Sequence, residues 1–521
     1  WEDELPVDDP GQPLGTDVRV LKEILLDAHR RRRGKGMLHI GGFVPWAFKY
    51  TDHPGAGGGR AGVPTEWRFA EIVSCFDAYL DADAIGLAAM ANASFFQHYP
   101  YRPPERPARR PSGSDLRQRG FLSADGEVEP APYVAFYAGD WDSAAWVYRR
   151  MPDLWRDPHR GRVPLGWAVN PNLEDRMRPA LAWIRRTATE NDVFIAGDSG
   201  AGYLNPGCLE EPRVHSGLPG GLEAWAEHCE RYYNRWGLTV TGFIIDGNAP
   251  GLSEKGLTAY ARFSPGGIVA QKCPLTGLHG EMPIVRASGD LSGPPEEAAR
   301  HILDRTRGRR PAFLVFRSIL QSPTWHLKVV EEVQKLDPGV RFVDPPTLLA
   351  LVKVHEKGRE ERAAAAAGVK EISFAAGAGD QLISPVSWED GLFREAEVAG
   401  SRALEIDGSR SMRYLYFDVP AKWVQPPSPA EGPGLEVSVT YLDRGNGAFV
   451  LEYDSRDPSA PVGGAYKASR PVELTGSGEW RETRMRIPDA RFESSQNGGA
   501  DFRFASPPVG LAMRQVRIRR D

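Results

Sequence analysis

The chain contains little cysteine: Cys75, Cys208, Cys229 and Cys273 are its four cysteines among 521 residues. They lie far apart and form neither a CxxC motif nor a Cys/His spacing typical of a metal site. A disulfide scaffold is therefore not expected. One bridge, such as Cys208 to Cys229, stays open as the alternative to four free thiols.

The sequence also lacks long apolar runs and a strong charge of one sign. No stretch approaches the roughly 18 apolar residues that a membrane-spanning helix needs, and the net charge is only −5. We therefore expect neither a membrane segment nor a nucleic-acid partner. Hydrophobic residues make up 41% of the chain and aromatic residues 10%, which predicts a soluble globular protein of two to four domains. Its oligomeric state stays open.

Short apolar runs and amphipathic stretches alternate over roughly the first 350 residues. Such a succession of strands and helices predicts a mostly parallel sheet. The predicted strands are Met37–Phe43, Asp83–Ala91, Tyr133–Ala138, Pro164–Val169, Asp192–Ala196, Leu238–Ile245, Gly267–Gln271, Met282–Ala287 and Pro311–Phe316. The predicted helices include Glu66–Leu80, Asp142–Trp155, Leu173–Thr187, Leu222–Trp236, Pro295–Arg307, Thr324–Leu336 and Thr347–Val354.

Eight or nine parallel strands form either a closed (β/α) barrel or an open, doubly wound sheet. The Gly-rich dinucleotide-binding motif follows none of the predicted strands, and their number and length suit a barrel of about 250 residues or more. We therefore predict an α/β fold with a TIM-like (β/α) barrel over residues 1–355.

The pattern changes after residue 355. The charged, Ala-rich run over residues 356–370 predicts a helical or semi-rigid linker. From residue 371 onward apolar residues alternate with period two between Gly-, Pro- and Asp-containing turns. This pattern predicts a C-terminal all-β, jelly-roll-like sandwich over residues 371–521. Its clearest predicted strands are Arg413–Phe417, Leu435–Tyr441, Ala448–Tyr453, Arg481–Ile487 and Arg514–Ile518.

Carboxylates follow several of the predicted barrel strands, where parallel βα folds bind their ligands. Asp140, Asp198 and Asp246 each come at or just after the end of a strand. A helix is predicted directly after Asp142, so we interpret that residue as a helix cap. No helix is predicted directly after Asp198 or Asp246, which favours a functional role for both.

Aromatic and polar side chains accompany these carboxylates near the strand ends. Aromatic faces stack on the apolar side of a sugar ring, and carboxylates bind hydroxyls or form an acid/base pair. The candidate catalytic residues are Asp198 and Asp246, with Asp140 as a substitute for either. The candidate substrate-binding residues are Trp46, His98, Trp141, Asn170, Tyr203 and Arg317.

Two other kinds of site compete with this interpretation. Ser199 lies in a GDSG string that coincides with the surroundings of a protease or esterase nucleophile. The βα pattern and the absence of a DxxH motif argue against that role. The 11 histidines form no HExxH or HxH pair, so we predict no bound metal and no cofactor. An Asp/His/His zinc site of a carbohydrate deacetylase stays as an alternative.

The segment after the fifth predicted strand, Gly200–Pro206, reads GAGYLNP. It resembles the GxGYxYP signature of a glycoside hydrolase family, with Asn205 in place of the second tyrosine. Similar blocks are Ala88–Pro100, Gly139–Trp146, Gly166–Asn172 and Phe243–Pro250. The resemblance covers roughly residues 35–350 and implies a carbohydrate-active βα domain without fixing its substrate. The C-terminal region resembles sandwich modules appended to glycosidases.

These features predict a glycoside hydrolase that cleaves an oligo- or polysaccharide with paired carboxylates, and whose partner is its carbohydrate substrate. The alternatives are a non-catalytic carbohydrate-binding protein and a metal-dependent carbohydrate deacetylase or esterase. The chain begins at Trp1 and not at Met. We therefore expect a protein exported to the periplasm or the cell exterior, with a cytoplasmic location as the alternative.

Overall fold

The computed structural model describes most of the chain, with gaps. The described ranges are 16–42, 65–82, 93–101, 110–306, 310–366, 368–378, 381–388, 390–406, 413–420, 423, 434–507 and 510–520. Within these ranges no helix is both long and apolar enough to cross a membrane. The four cysteines are free.

Helices dominate the connections between the strands in the first 365 residues. The helices within the described ranges are α1 (Thr16–Arg31), α2 (Thr65–Ser74), α3 (Ala93–Phe96), α4 (Gly113–Gln118), α5 (Ala144–Arg149), α6 (Met151–Trp155), α7 (Glu174–Arg186), α8 (Leu222–Trp236), α9 (Glu254–Phe263), α10 (Pro295–Thr306), α11 (Pro323–Leu336) and α12 (Pro345–Ala365). The predicted helix Leu222–Trp236 is confirmed in full, whereas α1, α3, α4 and α9 were missing from the prediction.

Seven parallel strands form a nearly closed barrel in the order β5-β4-β3-β10-β9-β7-β6. These strands are β3 (Pro132–Trp141), β4 (Leu165–Val169), β5 (Asp192–Ile195), β6 (Val240–Ile244), β7 (Gly267–Ala270), β9 (Met282–Asp290) and β10 (Ala312–Ile319). Hydrogen bonds link the two ends of the sheet: Ala196 donates to Val240 at 3.0 Å, and Gly242 donates to Ala196 at 2.8 Å. The predicted mostly parallel barrel is confirmed at this level, with strand bounds within three residues of the expected ones.

The first two strands are not part of this barrel wall, which corrects the expected eight or nine strands. β1 (Leu38–Gly41) and β2 (Ala78–Asp81) pair with each other in a separate parallel sheet. The predicted helix Glu66–Leu80 was too long, since α2 ends at Ser74. Asp77 takes a positive φ of 58° there, which breaks the helix. The predicted strand Asp83–Ala91 lies outside the described residues.

Two short strands and helix α12 complete this half of the chain. β8 (Thr276–His279) runs antiparallel to β9, and β11 (Arg341–Phe342) pairs with β3. The carboxylate of Asp344 caps α12 by accepting a bond of 2.9 Å from the Thr347 amide. Because α12 continues to Ala365, most of the predicted linker is helical. Where the chain divides into domains stays a prediction.

Strand side chains alternate between two hydrophobic layers. The inner cluster lies inside the barrel and beneath α2 and α12, and it includes Tyr137, Phe243 and Ile245. The outer cluster lies between the barrel wall and the helices around it, and it includes Ile244 and Tyr260. Neighbouring residues of one strand therefore face different surroundings, which decides where each rim side chain lies.

Residues after 370 form two antiparallel sheets, consistent with the predicted C-terminal β-sandwich. Their strands are β12 (Glu371–Ala375), β13 (Ser384–Val386), β14 (Phe393–Val398), β15 (Ser401–Ile406), β16 (Tyr414–Asp418), β17 (Leu435–Leu442), β18 (Gly447–Tyr453), β19 (Lys467–Ala468), β20 (Val472–Leu474), β21 (Trp480–Ile487), β22 (Phe502–Ala505) and β23 (Ala512–Arg520). One sheet has the order β14-β15-β23-β17-β21, and the other β13-β16-β22-β18-β19. The jelly-roll connectivity stays a prediction.

The sandwich contacts the outside of the barrel. The guanidinium of Arg305 lies 4.7 Å above the ring of Trp388, and Arg359 forms a buried ion pair of 2.8 Å with Asp418.

Candidate functional site

Asp198 lies just after β5, at the carboxyl end of the barrel and on the side of the inner cluster. Its carboxylate accepts a hydrogen bond of 3.3 Å from the Tyr137 hydroxyl. Among the described residues, the buried Oδ2 atom has no hydrogen-bond partner. Burial raises the pKa of Asp198 to about 6, although the charge of Arg317 acts in the opposite direction. The site therefore holds a carboxyl that is protonated in mildly acidic water.

Asn170 follows β4 and lies close to the same place. A methyl group on Gly197 would meet the Oδ1 atom of Asn170 and the hydroxyl of Tyr137, so these groups surround the backbone just before Asp198. Asn170 is fully buried, and within the described part of the chain neither atom of its amide has a hydrogen-bond partner. Buried amides are normally paired, so this one is available to a bound hydroxyl.

Arg317 brings a positive charge to the same side of the barrel. It forms a two-pronged ion pair with Asp290 at 2.8 and 2.9 Å, and its guanidinium lies 4.1 Å above the ring of Phe243. Burial lowers the pKa of Arg317, but the bonds to Asp290 outweigh it and the net shift is upward. Arg317 therefore stays charged beside Asp198 and is held in a fixed orientation.

Asp246 lies after β6 but in different surroundings. Its Oδ2 atom accepts a bond of 2.8 Å from the Lys272 amide, which ties the end of β6 to the end of β7. Its charge acts on Tyr260 and Cys273, which belong to or pack against the outer cluster. Burial raises the pKa of Asp246 to about 6, and its Oδ1 atom has no hydrogen-bond partner among the described residues. No described contact joins Asp246 to Asp198, so their pairing stays a prediction.

Tyr203 lies buried on the loop after β5, and its hydroxyl faces an acidic side chain that the sequence analysis had not selected. The hydroxyl donates to the Oε1 atom of Glu66, in the first turn of α2, at 3.4 Å. Burial raises the pKa of Tyr203, and the charges of Glu66, Asp198 and Asp142 raise it further. The negative charges of three carboxylates therefore act on this tyrosine.

The remaining predicted site residues are not brought to Asp198 by any described contact. His98 is exposed in the turn after α3. Trp141 is buried, with its ring 6.1 Å from that of Trp167, and has no exposed face for a sugar. Asp140 belongs to β3, but its side chain lies outside the described part of the structure, as does the whole of Trp46.

The loop that carries the GxGYxYP resemblance is shaped by packing. Gly200 and Gly202 have φ values of 139° and 133°, which favour glycine. A methyl group on Gly202 would overlap the ring of Tyr79, so this glycine allows a protein side chain to approach the backbone. The side chain of Asn205 donates to the Ile245 carbonyl at 2.9 Å and holds the loop against β6.

Ser199 and Asp142 do not have the roles that their sequence surroundings suggest. The buried Oγ atom of Ser199 accepts a bond of 3.0 Å from the Ile245 amide, which is a structural role. Ser143, and not Asp142, caps α5 by accepting from the Trp146 amide at 3.3 Å. The cap interpretation of Asp142 was therefore wrong, and its carboxylate lies near Tyr203 instead.

Sequence reasoning missed Glu66 and Tyr137, because it considered the residues that follow a strand, whereas Glu66 begins a predicted helix and Tyr137 lies within a predicted strand. Glu66 carried one usable signal, its position in the first turn of a predicted helix. Metal chemistry has no obvious centre here: across the described ranges, no three His, Cys, Asp or Glu side chains are grouped to hold an ion.

Residues 131–353 match the family described as the GxGYxYP putative glycoside hydrolase C-terminal domain. This match confirms the family resemblance over that range, which contains Asn170, Asp198, Tyr203 and Asp246. No curated protein matches the chain.

Two solved structures show weaker similarity. A putative hydrolase from Bacteroides thetaiotaomicron is 17% identical, with a TM-score of 0.44 and coverage of 55% of each chain. The chain thus spans about half the length of that protein. The CBM22-1 xylan-binding domain from Paenibacillus barcinonensis is 11% identical over 29% of this chain and 92% of that domain, with a TM-score of 0.19. At these TM-scores neither similarity establishes a shared fold.

Proposed function

We propose that this protein hydrolyses a glycosidic bond of an oligo- or polysaccharide, with Asp198 as the proton donor. The observation that carries the proposal is the state of the Asp198 carboxyl. It is buried at the carboxyl end of the barrel, has a pKa of about 6, and has one oxygen without a hydrogen-bond partner among the described residues. A carboxyl that keeps its proton near neutral pH is what protonation of a leaving sugar oxygen requires.

The neighbouring groups support this chemistry. The proton of Asp198 passes to the glycosidic oxygen while the bond between that oxygen and the anomeric carbon breaks, and the leaving oxygen takes the electron pair. The amide of Asn170, which has no hydrogen-bond partner among the described residues, binds a sugar hydroxyl in this proposal. The fixed charge of Arg317 stabilises the carboxylate that remains after the proton has left. The match of residues 131–353 to a glycoside hydrolase family agrees with this assignment.

The test begins with a screen of aryl glycosides and plant or microbial polysaccharides for released sugar. On the best substrate, Asp198→Asn is expected to lower kcat by a factor of about 10² or more, the usual weight of general acid–base catalysis. The loss is expected to be much smaller on a dinitrophenyl glycoside, because that leaving group departs without a proton. For the wild type, kcat/KM is expected to fall as the pH rises above about 6, as Asp198 loses its proton.

Asp246→Asn is the matched comparison, since it makes the same chemical change at a carboxyl whose pKa is also about 6. We expect it to keep kcat within about tenfold, because its carboxylate faces the Lys272 backbone. Near-normal turnover in Asp198→Asn would remove the assignment. An equal loss in both variants would restore the carboxylate pair expected from the sequence.

A further inference from the structure

Two kinds of contact join the segment that contains Glu66 to the loop after β5. The backbone of Tyr203 exchanges hydrogen bonds with Leu80 at 3.0 and 2.7 Å, which fixes the loop after β5 against β2. The hydroxyl of the same tyrosine donates to Glu66 at 3.4 Å. The segment containing α2 and β2 therefore reaches the barrel rim as one attached unit and places its acidic residue beside Tyr203.

The charge of Glu66 also acts on Asp198. Burial is the main cause of the raised pKa of Asp198, and the charge of Glu66 raises that pKa further by a smaller amount. The groups that act on the pKa of Asp246 besides burial are Lys272 and Gln271. Asp198 and Glu66 differ in their access to water. Asp198 is buried, and Glu66 is half-buried at the start of a helix.

We propose that Glu66 is the second carboxylate of the site and acts as the general base for the attacking water. This inference rests on the proposed function. It assigns a catalytic role to a residue of the N-terminal segment, outside the range 131–353 that matches the family. It follows that the matched range alone does not contain the complete site.

The step balances as an inverting hydrolysis. Glu66 takes a proton from water while the water oxygen bonds to the anomeric carbon, on the face opposite to the breaking bond. Asp198 gives its proton to the leaving oxygen, which takes the electron pair of the broken bond. The proton on Glu66 then returns to Asp198 through solvent, so the enzyme is restored and one water is consumed. The Tyr203 hydroxyl orients the base by donating to it.

The test compares Glu66→Gln with Glu71→Gln. Both residues belong to α2, but Glu71 pairs with His215 at 3.0 Å and accepts from Asn248 at 3.1 Å, away from Asp198. On the substrate found for the wild type, Glu66→Gln is expected to lower kcat about 10²-fold or more with KM within about threefold. Added azide is expected to restore turnover and give a glycosyl azide of inverted configuration. Glu71→Gln is expected to keep normal kcat and to show no effect of azide.

A second measurement does not depend on turnover. Carboxyl ¹³C NMR with labelled aspartate, assigned by Asp198→Asn, follows the titration of Asp198. Its pKa is expected to fall in Glu66→Gln, because a nearby negative charge is removed, and to stay unchanged in Glu71→Gln.

The outcomes distinguish a failure of the proposed function from a failure of the base role of Glu66. If the wild type releases no sugar from any substrate, the proposed function fails, and the base assignment fails with it. If the wild type is active but Glu66→Gln turns over normally, the base role alone is overturned, whatever happens to the Asp198 titration. Retention of anomeric configuration, seen by ¹H NMR of the first product formed, also overturns the base role and leaves Asp198 as proton donor intact.

Discussion

Neutralising Asp198 is expected to stabilise the folded protein while it removes activity. The ionised carboxylate is held in a buried position without a full set of hydrogen-bond partners among the described residues. Asp198→Asn keeps the shape of the side chain and an oxygen that accepts from Tyr137, but it carries no charge. The buried charge destabilises the folded wild type, and the uncharged variant lacks this destabilisation.

The magnitude follows from the pKa. Folding raises it from an ordinary 3.8 to about 6, and each unit corresponds to about 1.4 kcal/mol. Below pH 3.8 the carboxyl is protonated in both states and contributes nothing. Between 3.8 and 6 the native state binds more protons than the unfolded state, so stability falls as the pH rises. Above pH 6 the full cost of roughly 3 kcal/mol is present, and the variant no longer incurs it.

Urea unfolding followed by tryptophan fluorescence at pH 4, 6 and 8 measures this difference. The free energy of unfolding of Asp198→Asn is expected to exceed that of the wild type by roughly 2–3 kcal/mol at pH 8 and by only about 0.5 kcal/mol at pH 4. Asp125→Asn, a change at an exposed turn, controls for general effects of removing a negative charge. A difference that is the same at all three pH values would refute the reasoning, as would a variant less stable than the wild type at pH 8.

Two further predictions concern packing. Gly202→Ala is expected to lower the free energy of unfolding by about 2–4 kcal/mol, measured by thermal unfolding, because its methyl group would overlap Tyr79 at a φ of 133°. Gly217→Ala is the control, since that residue has a φ of 64° and no atom within 4 Å of the added methyl group, and it is expected to lower the free energy of unfolding by only about 1 kcal/mol. Deleting residues 371–521 is expected to leave turnover intact but to shorten the half-life at elevated temperature, because the faces that Trp388 and Asp418 cover become exposed. A soluble truncated protein that binds sugar normally but has no turnover would show that the sandwich supplies a catalytic group.

The sequence predicted the barrel strands well because they contain short apolar runs, which in β4 and β6 are buried on both faces. The sequence-based prediction failed where a helix passes into a strand and the spacing of the apolar residues does not change. Residues 75–80 are buried like those of α2 before them, so the run looked like one long helix. The end of α2 depends on the left-handed conformation of Asp77. That residue is held by an ion pair of 2.6 Å with Arg213, far away in the sequence.

The positions of single side chains in the site also depend on distant residues that local sequence patterns do not show. Strand ends predicted that Asp198 and Asp246 reach one rim of the barrel, and both do. A residue at the rim, however, faces either the inner cluster or the outer cluster. Which of the two it faces depends on the local β-bulge and not on its position in the chain. The register of β6 against β7 shifts between Thr241 and Ile244, and Asp246 ends up against the Lys272 backbone. The pairing of Leu80 with Tyr203 attaches the segment of Glu66 to the loop that follows Asp198, a contact between distant segments that no local pattern encodes. Local patterns therefore identify a carboxyl that ends a strand, whereas the partner that we propose for it, Glu66, depends on tertiary contacts between distant segments.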